Sequence, residues 1–173
     1  MVYLIVFLPL LGSIIAGFWG RRLGDKLSLY LTSSLLLISM TLSWITFWQL
    51  SSNHVDKVYP LMEWMNIGDF NVDWSLRHDM LSAVMMIVIT TVSAMVHIYS
   101  IVYMSHDNSK PRFMSYLSLF TFAMLMLVTS DNLIQLFFGW EGVGLASYLL
   151  IGFWYHKPSA HTAAMKAFIV NRV

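Results

Sequence analysis

Apolar residues run along the chain in five long stretches that are separated by polar loops. The stretches cover residues 2–20, 27–50, 80–104, 113–129 and 132–153. A helix rises about 1.5 Å per residue, so roughly 20 residues cross a bilayer core of about 30 Å. The stretches lack the period-two alternation of membrane barrel strands. The pattern therefore predicts an all-α fold, a polytopic integral membrane bundle with five complete helices.

A sixth apolar stretch begins near His161 and is too short to cross the membrane within this chain. We interpret it as the start of a sixth membrane helix. The first stretch could instead be a signal peptide, but its positive charges follow it and it has no clear cleavage site, which favours a retained helix. No linker divides the chain, so residues 1–173 are predicted to form a single transmembrane domain.

The long loop at 51–79 contains its own pattern. Val72, Trp74 and Leu76 alternate with polar residues, which is typical of a strand. Gly68–Asp69 is a suitable turn, and residues 61–67 would supply the partner strand. Two interpretations remain open: a small β-hairpin between the second and third helices, or an irregular aromatic-rich cap at the membrane interface.

Composition agrees with a membrane chain and excludes several kinds of site. The chain is 58% hydrophobic and 11% charged, whereas soluble domains are about 25% charged. The absence of cysteine excludes disulfides, zinc–thiolate sites and iron–sulfur clusters within the chain. We find no phosphate-binding glycine loop, no metal-site spacing and no nucleophile–base arrangement. The net charge of +1 and the lack of a basic run give no indication of nucleic-acid binding.

Loop charges predict the orientation of the chain in the membrane. Loops 20–26, 105–112 and 155–160 carry the positive charge, whereas loop 51–79 is mainly acidic. The positive-inside rule places the first three loops on the cytoplasmic or matrix side. The N-terminus and the 51–79 loop are therefore expected on the periplasmic or intermembrane side.

Glu141 is the only Asp, Glu, Lys or Arg within the five complete stretches. It lies about 14 Å along its helix, near mid-membrane, where a charge costs about 2.5–3.5 kcal/mol on insertion scales. Small residues surround it (Gly139, Gly142, Gly144 and Ala146) and favour close helix contacts, so it is expected to face protein or internal water. Glu141 is either a proton relay or a protonated acid that forms a hydrogen bond across a helix interface.

Five other polar residues are candidates for a proton path, for charge partners of Glu141 or for water binding. His97, inside the third stretch, is either a proton shuttle or, as we favour, a packing residue. Lys166 either extends to the interface or modulates Glu141. Arg172 stays charged and needs an anionic partner or water. Ser147 and Tyr148 either hold water or form ordinary helix contacts.

The string DNLIQLFFGWEGVGLASYLLIGFWY, followed by AAMKAFIVNRV, resembles the antiporter-like membrane subunit 5 (chain L) of respiratory complex I, or NADH:quinone oxidoreductase. VHIYSIVYM and RFMSYLSLFTFAMLMLVTSDN agree with this resemblance, which covers essentially the whole chain. It implies proton translocation coupled to electron transfer from NADH to quinone, with Glu141 as the buried glutamate of the proton channel. Lys166 and Arg172 match the family's KAF…NR stretch.

The resemblance also implies the cofactors, partners and location of the chain. NADH, FMN, iron–sulfur clusters and quinone bind other subunits, so no cofactor is expected here. The expected partners are lipid and the other membrane subunits, especially a neighbouring antiporter-like subunit. The expected location is the bacterial or mitochondrial inner membrane.

Family members are several times longer than this chain, so we predict an N-terminal fragment that is not catalytic alone. The lysine that would pair with Glu141 comes from a later helix, and the cation that balances Glu141 is therefore expected outside this chain. A subunit of a multi-subunit Mrp-type cation/proton antiporter is the alternative. Membrane-bound hydrogenase subunits are a weaker option, and a non-functional gene fragment is another.

Overall fold

The computed structural model describes residues 1–53, 56–68 and 70–172, in which six helices and one hairpin follow one another along the chain. These elements are α1 (Val2–Leu23), α2 (Asp25–Asn53), β1 (Lys57–Ile67), β2 (Phe70–His78), α3 (Met80–Tyr103), α4 (Lys110–Val128), α5 (Leu133–Ile151) and α6 (Pro158–Val170). The first five helices are long and apolar enough to cross a membrane. The predicted bundle of five complete membrane helices is confirmed. The identification of α6 as the start of a sixth membrane helix stays a prediction.

Several helices extend beyond the apolar stretches that predicted them. Helix α1 continues through Arg21 and Arg22, and α4 begins at Lys110. The length of an apolar stretch reflects the thickness of the hydrocarbon core. The helix itself continues into the polar interface as long as its backbone hydrogen bonds are satisfied. Pro111 suits the first turn of α4, because the first N–H groups of a helix have no intrahelical partner.

Helices α1 and α4 lie at the centre of the bundle. Helix α1 packs against α2 and α4, α4 packs against α5, α2 packs against α3, and α6 packs against α5. The main apolar cluster lies near the N-terminal end of α1, where Ile5, Met86 and Leu125 are fully buried together with Leu76 of the hairpin. The hairpin therefore closes one end of the bundle.

The loop between α2 and α3 forms an antiparallel hairpin, which decides between the two interpretations of that segment. Tyr59 pairs with Leu76 and Met65 pairs with Val72. Val72 and Leu76 are buried, as the alternating pattern predicts. Gly68 has a φ of +61°, a value that glycine adopts at little cost. The other half of the predicted turn, Asp69, lies outside the described residues, as does Val173 at the end of the sixth stretch.

The hairpin leads directly into α3 through a capping carboxylate. Asp79 Oδ1 accepts a hydrogen bond of 2.7 Å from the backbone N–H of Ser82. Burial raises the pKa of the Asp79 carboxyl, but the hydrogen bonds from Ser82 and the nearby Arg77 guanidinium outweigh burial and hold it below its usual value. The cap satisfies a free N–H group and defines where α3 begins.

Candidate functional site

Helix α5 is anchored to the hairpin at its first turn. Asn132 Oδ1 accepts a hydrogen bond of 2.8 Å from Gln135 N–H, and Asn132 Nδ2 donates one of 2.8 Å to the Asp73 carbonyl. The buried Gln135 side chain accepts a 3.1 Å bond from Ser75 N–H. These contacts fix the position of α5 along its axis relative to the hairpin. They therefore also fix the distance from the hairpin to Glu141, which lies about two turns further along the helix.

Glycines bring α5 close to both of its neighbours. A Cβ atom at Gly139 would lie 2.7 Å from Leu127 Cα in α4, and one at Gly142 would lie 3.2 Å from Ala123 Cβ. On the α6 side, a Cβ at Gly144 would collide with the Asn171 amide. The prediction that small residues around Glu141 permit close helix contacts is confirmed.

Glu141 forms an ion pair with Arg172. Arg172 Nη2 lies 2.8 Å from Glu141 Oε2, and the two side chains are 50% and 23% exposed, respectively. Arg172, one of the candidate charge partners, thus supplies a balancing cation within this chain, whereas a pairing with a lysine of a later helix stays a prediction. Helix α6 has 13 residues, which corresponds to a rise of about 20 Å along its axis. Because α6 runs antiparallel to α5, the residues just after its C-terminal end reach the level of Glu141.

Aromatic rings surround the cationic side of this pair. The guanidinium carbon of Arg172 lies 4.2 Å from the centre of the Phe168 ring. The Phe168 ring centre is in turn 5.3 Å from that of Tyr148. A cation against an aromatic face is attracted by the ring's quadrupole. Phe168 therefore helps to hold Arg172 beside Glu141, and Tyr148 supports Phe168.

The ion pair balances a charge that would otherwise be costly between apolar helices. A buried charge without a partner is strongly destabilising, whereas a cation in contact with it compensates the charge. Arg172 supplies that compensation through one long side chain. The site therefore combines a carboxylate with a counter-charge that is carried by a long side chain.

Lys166 is not brought to Glu141. Its side chain is exposed on α6. Among the described residues, no carboxylate lies within 4.0 Å of its amine, whereas Arg172, two residues after the end of α6, is paired. The structure thus brings one of these two cations to the site, and the role of Lys166 stays a prediction.

His97 lies in a different part of the bundle, between α3 and α4, and is fully buried. Its Nδ1 is 2.8 Å from the Ser93 carbonyl, which only accepts, so Nδ1 carries the hydrogen. Its Nε2 therefore accepts a 3.0 Å bond from the Ser118 hydroxyl. Both ring nitrogens have partners, which is the arrangement of an interhelical packing residue. Its place in a proton path stays a prediction.

Sequence reasoning did not find Asn132, Gln135 and Phe168, which position the pair. Asn132 was detectable, because asparagine before an apolar helix is a capping signal. Phe168 carried no signal, since an aromatic residue in an apolar stretch is unremarkable. Ser147 shows no contact that distinguishes it among the described residues.

For metals, no cluster of three His, Asp or Glu side chains occurs within residues 1–53, 56–68 and 70–172.

Two protein-family models match the chain. The model described as NADH-ubiquinone oxidoreductase (complex I), chain 5 N-terminus, matches residues 64–114. The model described as NADH:quinone oxidoreductase/Mrp antiporter, TM, matches residues 130–173. The second match contains both Glu141 and Arg172.

Curated relatives match the chain along its whole length. The chain is 53% identical to NADH-quinone oxidoreductase subunit L of Rhodobacter capsulatus, covering 100% of this chain and 25% of the relative. It is 52% identical to NADH-ubiquinone oxidoreductase chain 5 of Arabidopsis thaliana, covering 100% of this chain and 26% of that protein. The chain thus spans about a quarter of the length of these relatives.

A solved structure has the same fold. The membrane-bound sulfane sulfur reductase, an archaeal respiratory membrane complex, contains a chain that matches with a TM-score of 0.79. The match covers 97% of this chain and 33% of that chain, at 16% sequence identity. At this identity the likeness concerns the fold alone.

Proposed function

We propose that this chain, which belongs to the family of subunit L (chain 5) of NADH-quinone oxidoreductase, takes part in moving protons across the membrane. Its context is complex I, in which other subunits transfer electrons from NADH to quinone. The observation that carries the proposal is the Glu141–Arg172 ion pair between α5 and α6. A charged pair within otherwise apolar helices is costly, which favours a functional role.

The proposed mechanism has two states of Glu141. In the first, Arg172 holds Glu141 as a carboxylate through the 2.8 Å contact. In the second, Arg172 has moved away and Glu141 is neutral, having accepted a proton at one of its two carboxyl oxygens. When Arg172 returns, the charged form is favoured again and the proton leaves. If Glu141 exchanged protons with one side of the membrane in the first state and with the other side in the second, the cycle would move protons in one direction.

The trigger for the movement is expected from outside the chain. The resemblance implies that a lysine of a later helix also pairs with Glu141. Such a lysine and Arg172 would compete for one carboxylate, and a shift of charge in a neighbouring subunit would decide which cation prevails. Lys166, exposed on α6 six residues before Arg172, would contribute positive potential without direct contact.

The same proposal assigns partners and orientation. The chain would contact other membrane subunits of complex I, including a neighbouring antiporter-like subunit, in a bacterial or mitochondrial inner membrane. Its N-terminus and hairpin would face the periplasm or intermembrane space, because loops 20–26, 105–112 and 155–160 carry the positive charge. NADH, FMN, iron–sulfur clusters and quinone would bind other subunits.

A second candidate is a subunit of an Mrp-type cation/proton antiporter. The family model that matches residues 130–173 covers both NADH:quinone oxidoreductases and Mrp antiporters. The relatives at about half identity are named as NADH-quinone or NADH-ubiquinone oxidoreductase subunits, which favours the first candidate. The mechanism of the Glu141–Arg172 pair is the same in both.

The direct test is a Glu141→Gln substitution in the full-length protein within its complex. Glutamine keeps the size and hydrogen bonding of the side chain but cannot exchange a proton. Because positioned proton-transfer groups commonly contribute about 10²–10⁴-fold, we expect proton pumping and coupled quinone reduction to fall at least tenfold. Proton uptake by closed vesicles and NADH-driven quinone reduction would measure the two rates.

Glu63→Gln is the matched control. Glu63 is an exposed carboxylate on β1 of the hairpin, so the same chemical change there should leave both rates near those of the wild type. Equal amounts of assembled complex should be present in all three proteins. Wild-type pumping in the Glu141→Gln complex would contradict the proposed role.

A further inference from the structure

A polar cavity lies between the C-terminal end of α1 and the start of α4, at the opposite end of the bundle from the hairpin. Its volume is about 550 Å³, within the range of about 300–1,000 Å³ that is typical of small-ligand sites. Its polar lining comes mainly from Arg21, Asn108, Ser109, Arg112 and Tyr116. None of these residues belongs to the Glu141 site.

The cavity has an excess of positive charge. Asp25 is the one carboxylate among its described lining residues, and its Oδ2 is paired with Lys110 Nζ at 3.2 Å. Neither Arg21 nor Arg112 lies within 4.0 Å of a carboxylate in the described part of the chain. Two arginines therefore line the cavity without a carboxylate counter-charge from those residues, and the guanidinium carbon of Arg112 also lies 4.7 Å from the centre of the Phe153 ring.

Arg112 also has an unused donor. One of its terminal nitrogens, Nη2, donates a 3.3 Å hydrogen bond to the Phe153 carbonyl. Its Nε is buried and has no acceptor among the described residues. A buried donor without an acceptor is costly. Asn108, Ser109 and Tyr116 add further hydrogen-bonding side chains to the lining. The cavity is thus rich in cations and donors, which is the chemistry that recognises an oxyanion.

The position of the cavity identifies the source of that oxyanion. It lies at the end of a membrane helix on the side where the basic loops are found, at the level of lipid headgroups. An exposed apolar stripe on α1 leads from it towards mid-membrane: Phe18 is 82% exposed, and Ile14 and Leu11 continue the same helix face. A free anion would use only the cavity, whereas a phospholipid would use the cavity and the stripe.

We propose that this cavity binds the headgroup phosphate of an anionic phospholipid, with Arg21 and Arg112 as the recognising cations. The guanidinium groups pair with the phosphate oxygens, and the polar side chains bind the headgroup. An acyl chain lies along Phe18, Ile14 and Leu11. The site is independent of the proton-transfer mechanism, so either proposal can fail without the other.

The test measures binding of spin-labelled phosphatidylglycerol to the native membrane assembly that carries this chain, in phosphatidylcholine nanodiscs. The variants are Arg21→Gln, Arg112→Gln and the double variant. A basic residue near an anionic membrane surface contributes about 1 kcal/mol, or roughly fivefold in affinity. We expect each single variant to weaken the immobilised lipid component by about that factor, and the double variant to abolish it.

Arg22→Gln is the control, because Arg22 is the next residue along α1 and does not line the cavity. It should bind phosphatidylglycerol like the wild type. If Arg112→Gln fails to assemble, Arg21→Gln still decides the matter, since Arg21 is exposed. Unchanged binding in every assembled cavity variant would overturn the proposal. Binding of inorganic phosphate to the wild-type protein, without any immobilised phosphatidylglycerol component, would overturn the lipid assignment in favour of a free anion.

Discussion

The bundle contains two polar regions that are built in opposite ways. Around His97, between α3 and α4, the polar groups are neutral and closely bonded: both imidazole nitrogens have partners. Around Glu141, between α5 and α6, full charges meet in a single ion pair whose side chains remain 50% and 23% exposed. The first region resembles a packed protein interior, and the second is open on one side.

This difference predicts a structural role for the His97 region and is consistent with the charge transfer that we propose for the Glu141 region. In the His97 region, any movement breaks short hydrogen bonds, and each unsatisfied group costs about 1–3 kcal/mol. In the Glu141 region, one arginine side chain supplies the counter-charge among the described residues, and under the proposed mechanism a competing cation replaces it without unpacking the bundle. The neutral region should therefore respond to mutation through stability, and the charged region through activity.

The largest effect on folding is expected at the α4–α5 interface that supports Glu141. A Gly139→Ala methyl group would lie 2.7 Å from Leu127 Cα and 2.8 Å from Leu127 N, and backbone atoms cannot rotate away. Overpacking typically costs about 1–3 kcal/mol, and we expect the upper end here. Thermal unfolding of the purified protein in detergent should show a clear loss of stability.

Gly142→Ala is the matched comparison at the same interface. Its methyl group would meet only the Ala123 methyl, at 3.2 Å, so a small adjustment relieves the contact. Both substitutions replace glycine by alanine and gain the same helix propensity. The difference in stability between the two variants therefore reports packing alone. Equal stability of the two variants would show that α4 and α5 are not packed through Gly139.

A smaller effect on stability is expected at His97. His97→Ala leaves the Ser93 carbonyl and the Ser118 hydroxyl without their imidazole partners. We expect a loss of about 1–2 kcal/mol, again measured by thermal unfolding. Pumping per assembled complex should be unchanged.

Ile98→Ala serves as the control on the same helix, because Ile98 is 50% exposed and packs little against the bundle. It should unfold at nearly the wild-type temperature. A His97→Ala complex that assembles normally but does not pump would place His97 in the proton path, and the contrast between the two regions would be lost.

The sequence predicts the helices well because the membrane imposes a simple rule on them. Apolar length identifies all five spans, and alternation at Val72 and Leu76 identifies the inner face of the hairpin. Helix ends are less predictable, since α1 continues through Arg21 and Arg22, where hydropathy has already fallen. Hydropathy reports the hydrocarbon core, whereas backbone hydrogen bonds determine where a helix ends.

The partner of Glu141 was harder to predict than Glu141 itself. A lone acidic residue among glycines is visible in the sequence, but its contact depends on how α6 turns back after residues 152–157 and how far it rises. Those features place Arg172, rather than Lys166, beside the carboxylate. The His97 partners are similarly invisible, because Ser93 and Ser118 are ordinary helix residues until α3 and α4 are packed.

The central claim is that Glu141 changes protonation during turnover, and infrared difference spectroscopy tests it most directly. Spectra of the assembled complex would be compared between its resting state and NADH-driven turnover. The account predicts a carboxylic-acid C=O band that changes on turnover in the wild-type complex and disappears in Glu141→Gln. Identical difference spectra for the two proteins would contradict it.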